Sequence, residues 1–209
     1  MINILIVDDH SIVRTSVKYL IHEEISNAQV HEAYNAESTL KKIRKINFDL
    51  VVLDIHLDDT GINDLVVNIF RTKPSPKILI FTMSDESVFA KHFFRLGVQG
   101  FLSKESSEQE IKEAIRTVLK RDQYMSERLR SFLANEMIEK RRNPFEKLTE
   151  REFEILVLLV RGKSMTQISQ ILHLYITTIA THKQNMLEKL NVKNVVDLMI
   201  MAKEYNLWF

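Results

Sequence analysis

The stretch ILIVDD, residues 4–9, sets an unbroken apolar run against two adjacent carboxylates, Asp8 and Asp9. An apolar run of strand length without alternation reads as a strand buried on both faces. LVVL at 50–53 and KILIF at 77–81 repeat the pattern, and QVHEA at 29–33 and QGFL at 99–102 are weaker candidates. Helical stripes lie between them: Val13, Val17, Leu20 and Ile21; Leu40 and Ile43; Leu65, Val66 and Ile69; Ile111, Ile115, Val118 and Leu119. Strands alternating with helices predict a parallel, doubly wound α/β sheet of five strands over residues 1–121.

The alternation stops there. Residues 122–145 read as a partly helical linker, with Leu129, Phe132, Leu133 and Met137 near one face. The basic run KRRNP at 140–144 ends it, because Asn143 precedes Pro144 and is biased away from helix. Residues 146–209 carry only helical patterns and predict a small all-α domain. Thr149 and Glu152 make the T-x-x-E spacing of a capping box, and Gly162 is placed to end the helix that follows. Ile168, Ile171 and Leu172 mark a short helix. After a turn near His173–Tyr175, a longer helix starts at about Ile176 or Thr177, with Ile179, Met186, Leu187 and Leu190 inward. Two short helices joined by a tight turn describe a helix-turn-helix, though a plain packing bundle has the same spacing. Val195, Leu198, Met199 and Ala202 form a last stripe, either core or a dimer face, and Trp208 and Phe209 are large terminal groups that could cover it or the linker.

Bulk properties exclude some classes. The chain has 209 residues, 45% hydrophobic and 27% charged, the make-up of a globular protein with one large or two small domains. Without cysteine there are no disulfides and no thiolate metal sites, which fits a cytoplasmic protein. The N-terminal apolar run is far shorter than the roughly 20 residues of a membrane span, so no membrane partner is expected. A net charge of +1 gives no general attraction to nucleic acid. The distribution is uneven, however. Residues 1–121 balance 16 Lys/Arg with 17 Asp/Glu, while residues 161–193 hold Arg161, Lys163, Lys183, Lys189 and Lys193 against Glu188 alone.

In an open parallel sheet, functional groups gather at the carboxyl ends of the strands. Those ends carry Asp8 and Asp9, then Asp54, then Thr82, then Lys104. Like charges at 4 Å repel by about 4 kcal/mol at an effective dielectric of 20, so three carboxylates at a partly dry edge need a counter-charge. A hard divalent cation such as Mg²⁺, held by oxygens, supplies it. Single acids at strand ends are also common as turn formers, so it is the joint arrangement that points to a site. His10 reads as a helix-start or surface residue.

VDDH at 7–10, LVVLD at 50–54, Thr82 and GFLSK at 100–104 resemble the receiver domain of bacterial two-component response regulators. LTEREFEIL, Gly162-Lys163-Ser164, Ile168, Leu172, Thr178-Ile179, His182, Asn185 and LEKLNV resemble the LuxR-type DNA-binding domain. Together they are similar to the NarL/FixJ group, which implies a flavodoxin-like receiver followed by a helix-turn-helix domain. The resemblance implies Asp54 as phosphoacceptor, and Asp8, Asp9, Asp54 and the backbone carbonyl of His56 as ligands of Mg²⁺. It implies Lys104 as the phosphoryl's ion partner, Thr82 as its hydroxyl partner and Phe101 as the aromatic that turns inward on activation. It further implies a sensor histidine kinase as donor, double-stranded DNA as target and a homodimer as the binding form. No enzyme is implied beyond phosphorylation and dephosphorylation of Asp54 itself.

By position, Thr181, Lys183 and Gln184 are candidates to face the major groove, and Thr177, Thr178, Lys183 and Lys189 are candidate phosphate contacts. The chain departs from the pattern in four places. Asp58 stands for Pro, Gly61 is shifted by one, Tyr175 stands for Ser and Ala180 for Lys. An inward Asp58 would add repulsion against a phosphoryl group. These departures leave room for a second reading, a phosphorylation-independent pseudo-receiver or interaction module that binds DNA weakly or not at all. A phosphatase-type aspartyl-phosphate enzyme ranks last, because His56 stands where such an enzyme needs a second acid.

Overall fold

The computed structural model describes residues 1–57, 61–120, 122–139, 143–205 and 207, the side chains of 135–139 excepted. Asp58 and Asp59, the Met137 side chain, Lys140–Arg142 of the basic run, Trp208 and Phe209 lie outside the described residues.

The first half alternates as expected: β1 (Ile2–Val7), α1 (Ser11–Glu24), β2 (Ala28–Ala33), α2 (Ala36–Ile43), β3 (Leu50–Leu53), α3 (Ile62–Phe70), β4 (Lys77–Thr82), α4 (Glu86–Arg95), β5 (Gly100–Ser103) and α5 (Glu108–Leu119). Every pairing is parallel, in the order β2-β1-β3-β4-β5-β6. Among the described residues the expected count of five strands is corrected to six, because Tyr124–Met125 adds β6 beside β5. Two residues are too few to leave a periodic signal, and Tyr124 N–H donates to Gln99 O at 2.9 Å to begin the pairing.

The unbroken apolar runs follow from burial on both faces. Ile4 and Ile6 pack with Val17, Ile21, Ile111 and Ile115 of α1 and α5. Leu5 and Val7, pointing the other way, join Leu65, Val66 and Phe89 of α3 and α4. Each such side chain contributes about 1.5–3 kcal/mol by leaving water. A polar residue anywhere in these runs would therefore face one core or the other.

Beyond β6, α6 (Glu127–Glu139) buries Leu129, half-buries Leu133 and leaves Phe132 partly exposed. A 3₁₀ turn at Pro144–Lys147 follows, with Asn143 Oδ1 accepting from Phe145 N–H at 3.0 Å. The second half is α7 (Glu150–Val160), α8 (Met165–Leu172), α9 (Ile176–Leu190) and α10 (Val195–Glu204). The Thr149/Glu152 capping box opens α7, and Gly162 at φ 72° ends it in the left-handed region that glycine enters without strain. Leu198 and Ala202 of α10 are fully buried, while Val196 and Ile200 on its other side are exposed.

The two halves share one apolar core. Phe89 of α4 meets Phe153 of α7 edge-on at 5.5 Å between ring centres, and His92 lies tilted against it at 4.7 Å. This explains why α4 carries no single stripe: Val88, Phe89, Ala90, His92 and Phe93 are all buried, some against the sheet and some against α7. Polar groups cross the same seam. Asn63 N–H donates to Glu154 Oε1 at 3.3 Å, His92 Nε2 meets Asn63 Oδ1 at 2.9 Å, and Lys91 pairs with Glu146 at 2.5 Å. Burial pushes the Glu154 carboxyl up, against the opposing pull of Arg151, and burial with Arg95 pushes His92 down to about 4. Among the described residues no helix is long and apolar enough to cross a membrane.

Candidate functional site

Parallel pairing levels the strand ends. Val7 pairs with Leu53, so the next residues, Asp8 and Asp54, leave the sheet side by side. Their backbone N–H groups still donate to the sheet, Asp54 to Val7 O at 2.9 Å and Asp8 to Ala33 O at 3.1 Å. Thr82 pairs with Ser103, and Lys104 N–H donates to Thr82 O at 2.8 Å. The strand order reverses between β1 and β3, which is where an open α/β sheet makes a crevice.

Lys104 Nζ lies 2.6 Å from Asp8 Oδ2 and 2.6 Å from Asp54 Oδ2. Both carboxylates are buried, each 2% exposed, so the ammonium supplies the counter-charge that neighbouring anions require. Burial disfavours the charged lysine, but Asp54 and Asp8 outweigh it and hold its pKa above the ordinary value. The second oxygens are also engaged. Asp8 Oδ1 accepts from His10 N–H at 2.8 Å, and Asp54 Oδ1 accepts from His56 N–H at 3.1 Å. Asp9 is exposed, 2.7 Å from His10 Nδ1. Ligand atoms of Asp8, Asp9 and His10 lie within 4.8 Å of one another.

Thr82 is fully buried. Its Oγ1 accepts from Ser84 N–H at 3.3 Å and lies 3.5 Å from Ser84 Oγ. Ser84 Oγ is 2.6 Å from His56 Nε2, and His56 Nδ1 meets Arg161 Nη2. Arginine only donates, so Nδ1 accepts and Nε2 carries the proton toward Ser84. Burial, then Arg161, pushes the His56 imidazole down to about 4, which fits this neutral form. Arg161 Nη2 also reaches Ile55 O at 3.5 Å. Phe101 is fully buried, its ring 6.1 Å from that of Phe93.

In the second half, His173 at φ 52° makes the turn between α8 and α9, with Ser169 Oγ donating to Leu174 O at 2.5 Å. The outer face of α9 exposes Thr177, Ala180, Thr181 and Gln184, and Tyr175 stands exposed before it. Thr178 and Lys183 are half-buried. Thr181 Oγ1 donates to Thr177 O at 3.1 Å, and Gln184 Nε2 donates to Glu188 Oε1 at 2.8 Å. Lys189 is turned away, its Nζ 2.6 Å from Glu152 Oε2 on α7.

Residues 4–116 match the family described as response regulator receiver domain, and residues 146–202 match the bacterial regulatory proteins of the luxR family. The response regulator UvrY of Escherichia coli K12 is 30% identical over 209 residues, 99% of this chain and 96% of its own length. The chain belongs to the response regulators of the NarL/FixJ group. The nitrate/nitrite response regulator NarP of Escherichia coli K12 is 32% identical over 194 residues, 92% of this chain and 90% of its own. The fold matches that of Salmonella enterica RcsB bound to promoter P1flhDC with the phosphomimetic BeF3⁻, at TM-score 0.80 and 22% identity, covering 97% of this chain and 98% of that one.

In this response regulator Asp8, Asp54 and Lys104 meet directly, His56 lends its backbone N–H to Asp54, and Thr82 lies one strand over. Thr177, Thr181, Lys183 and Gln184 share α9, whereas Lys189 pairs with α7. Reading the sequence missed Ser84, the His56 ring and Arg161. Arg161 registered only as one basic residue of a basic stretch, because its partner is 105 residues away.

Proposed function

We propose that this response regulator takes a phosphoryl group on Asp54 from a sensor histidine kinase and, so modified, controls transcription by binding double-stranded DNA as a homodimer. The observation that carries the reading is the buried ion triplet in which Lys104 stands 2.6 Å from both Asp8 and Asp54. An Asp54 oxygen attacks phosphorus, the new O–P bond forms as the donor's P–N bond breaks, and the imidazole keeps the electron pair. Lys104 then has a phosphoryl oxygen to follow instead of a bare carboxylate, and the Thr82 hydroxyl can donate to another. Water attack on phosphorus returns the Asp54 carboxylate and inorganic phosphate, which is the only turnover the protein performs.

The donor set fits Mg²⁺. Asp8, Asp9, Asp54 and the carbonyl of His56 offer hard oxygens, and Lys104 already marks the place where positive charge is required. When bound, the ion neutralises the carboxylates and the incoming phosphate. Phe101, the aromatic paired with Thr82 in the switch, is already fully buried with no phosphoryl group on Asp54, so it has no outward position here from which to turn.

The chain is organised as a receiver at 1–121, a linker at 122–145 whose first residues add β6, and a DNA-binding domain at 146–209. In DNA, Thr181, Lys183 and Gln184 of α9 face base edges, and Thr177, Thr178 and Lys183 hold phosphates. Lys189 joins them only by leaving Glu152. The RcsB structure is of a promoter-bound protein, and its fold supports this reading. The protein acts in the cytoplasm, where kinase and promoter meet.

Incubation with acetyl phosphate and Mg²⁺, read by intact mass and by gel shift on promoter DNA, tests the proposal. Wild type is expected to gain one phosphate and bind DNA more tightly, and Asp54→Ala to do neither. Equal phosphate uptake by both proteins would overturn the assignment of Asp54. Uptake without any change in DNA binding or assembly would favour the interaction-module reading.

A further inference from the structure

We propose that Arg161, at the end of α7 in the DNA-binding half, is a positioning residue for the phosphoacceptor loop, holding the unphosphorylated state through the chain Arg161–His56–Ser84–Thr82. The inference rests on the phosphoacceptor reading of Asp54. Its links are short and directional. Arg161 Nη2 donates to His56 Nδ1, His56 Nε2–H donates to Ser84 Oγ at 2.6 Å, Ser84 N–H donates to Thr82 Oγ1 at 3.3 Å, and the Thr82 hydroxyl donates to Ser84 Oγ at 3.5 Å. Arg161 also reaches Ile55 O at 3.5 Å, the carbonyl next to Asp54 in the chain. Thus one guanidinium from the second half grips both residues that follow Asp54, at the end of α7 that leads into α8.

The Thr82 hydroxyl has a single proton to donate. While it faces Ser84, the chain is complete and the halves are joined at the site itself. A Thr82 hydroxyl drawn to a phosphoryl oxygen on Asp54 leaves Ser84, and the added oxygens displace the 54–57 backbone that Arg161 holds. The chain then loses its anchor. Because binding couplings are reciprocal, a contact that phosphorylation weakens must itself weaken binding at the phosphoryl site. Arg161 therefore opposes phosphoryl binding from outside the receiver.

The test is titration of the full-length protein with BeF3⁻ in Mg²⁺ by calorimetry, with hydrodynamic radius followed alongside. Arg161→Ala is expected to bind BeF3⁻ about tenfold more tightly, the size of one charge-assisted hydrogen bond lost from the competing state. Its radius before BeF3⁻ addition should approach that of the BeF3⁻-bound wild type. Arg161→Met keeps the length of the side chain without its donors, is expected to behave the same way, and carries the test if the alanine variant does not fold. In a Ser84→Ala background, where the link from His56 to Thr82 is already cut, Arg161→Ala should have a smaller effect, because only its hold on Ile55 O remains to be lost. BeF3⁻ affinity within twofold of wild type in the Arg161 variants, or an undiminished effect in the Ser84→Ala background, would overturn the proposal. Wild type that binds BeF3⁻ no better than Asp54→Ala would instead defeat the phosphoacceptor reading, and this inference with it.

Discussion

Single residues carry unusual electrostatic weight here. Lys104 is the counter-ion of two buried carboxylates, so Lys104→Met should destabilise the protein by about 3–5 kcal/mol at neutral pH, the usual cost of stranding buried charge. Added Mg²⁺ should restore much of that stability, because the same oxygens can take the ion. Thermal melts of the variant with and without Mg²⁺ check this, and equal melting temperatures would count against a divalent site. His92 makes a second, pH-dependent contribution. Its folded pKa of about 4 lies below the ordinary 6.5, so between those values the unfolded chain binds more protons. Stability is therefore lost as pH falls from 6.5 toward 4, by about 3 kcal/mol from this group. Glu154, raised by burial, works in the opposite sense above its unfolded value and offsets part of the loss. Denaturant midpoints at pH 7 and pH 5 should fall for wild type and change less for His92→Gln. Other polar and charged groups at this seam are Asn63, Arg95, the Lys91–Glu146 pair, and Arg151 with Glu154 and Asp64.

At the scale of elements, legibility depended on how local the cause was. β3 was readable as LVVL because both its faces are covered, and the start of α7 because Thr149 and Glu152 satisfy each other three residues apart. β6 was not readable, since two residues have no period, and α4 left no stripe because the second half buries its outer side. The strand-end triplet was visible because register forces Asp8 and Asp54 level. The His56–Arg161 contact was not, since no spacing encodes a meeting between a strand-end loop of one half and a helix end of the other. Within α9 the two lysines should differ. Lys183→Ala is expected to weaken binding to all DNA sequences and to lower the slope of log affinity against log salt by about 1 per subunit. Lys189→Ala should change that slope less and stability more, since Lys189 serves buried Glu152. Fluorescence anisotropy across a salt series separates the two, and equal slope changes would place Lys189 on phosphate instead.

On the scale of the molecule, the hydrophobic interior runs without a break from the sheet through α3 and α4 into α7 and α8. Phe89 and Phe153 meet in its middle and are nearly inaccessible to water. Any state in which the DNA-binding half swings free must wet these rings, at about 25 cal/mol for each Å² uncovered. Such a state is not at rest by itself. It is driven to cover the bared rings again, so the joined arrangement of the halves restores itself, and whatever opens it must bring a covering surface of its own.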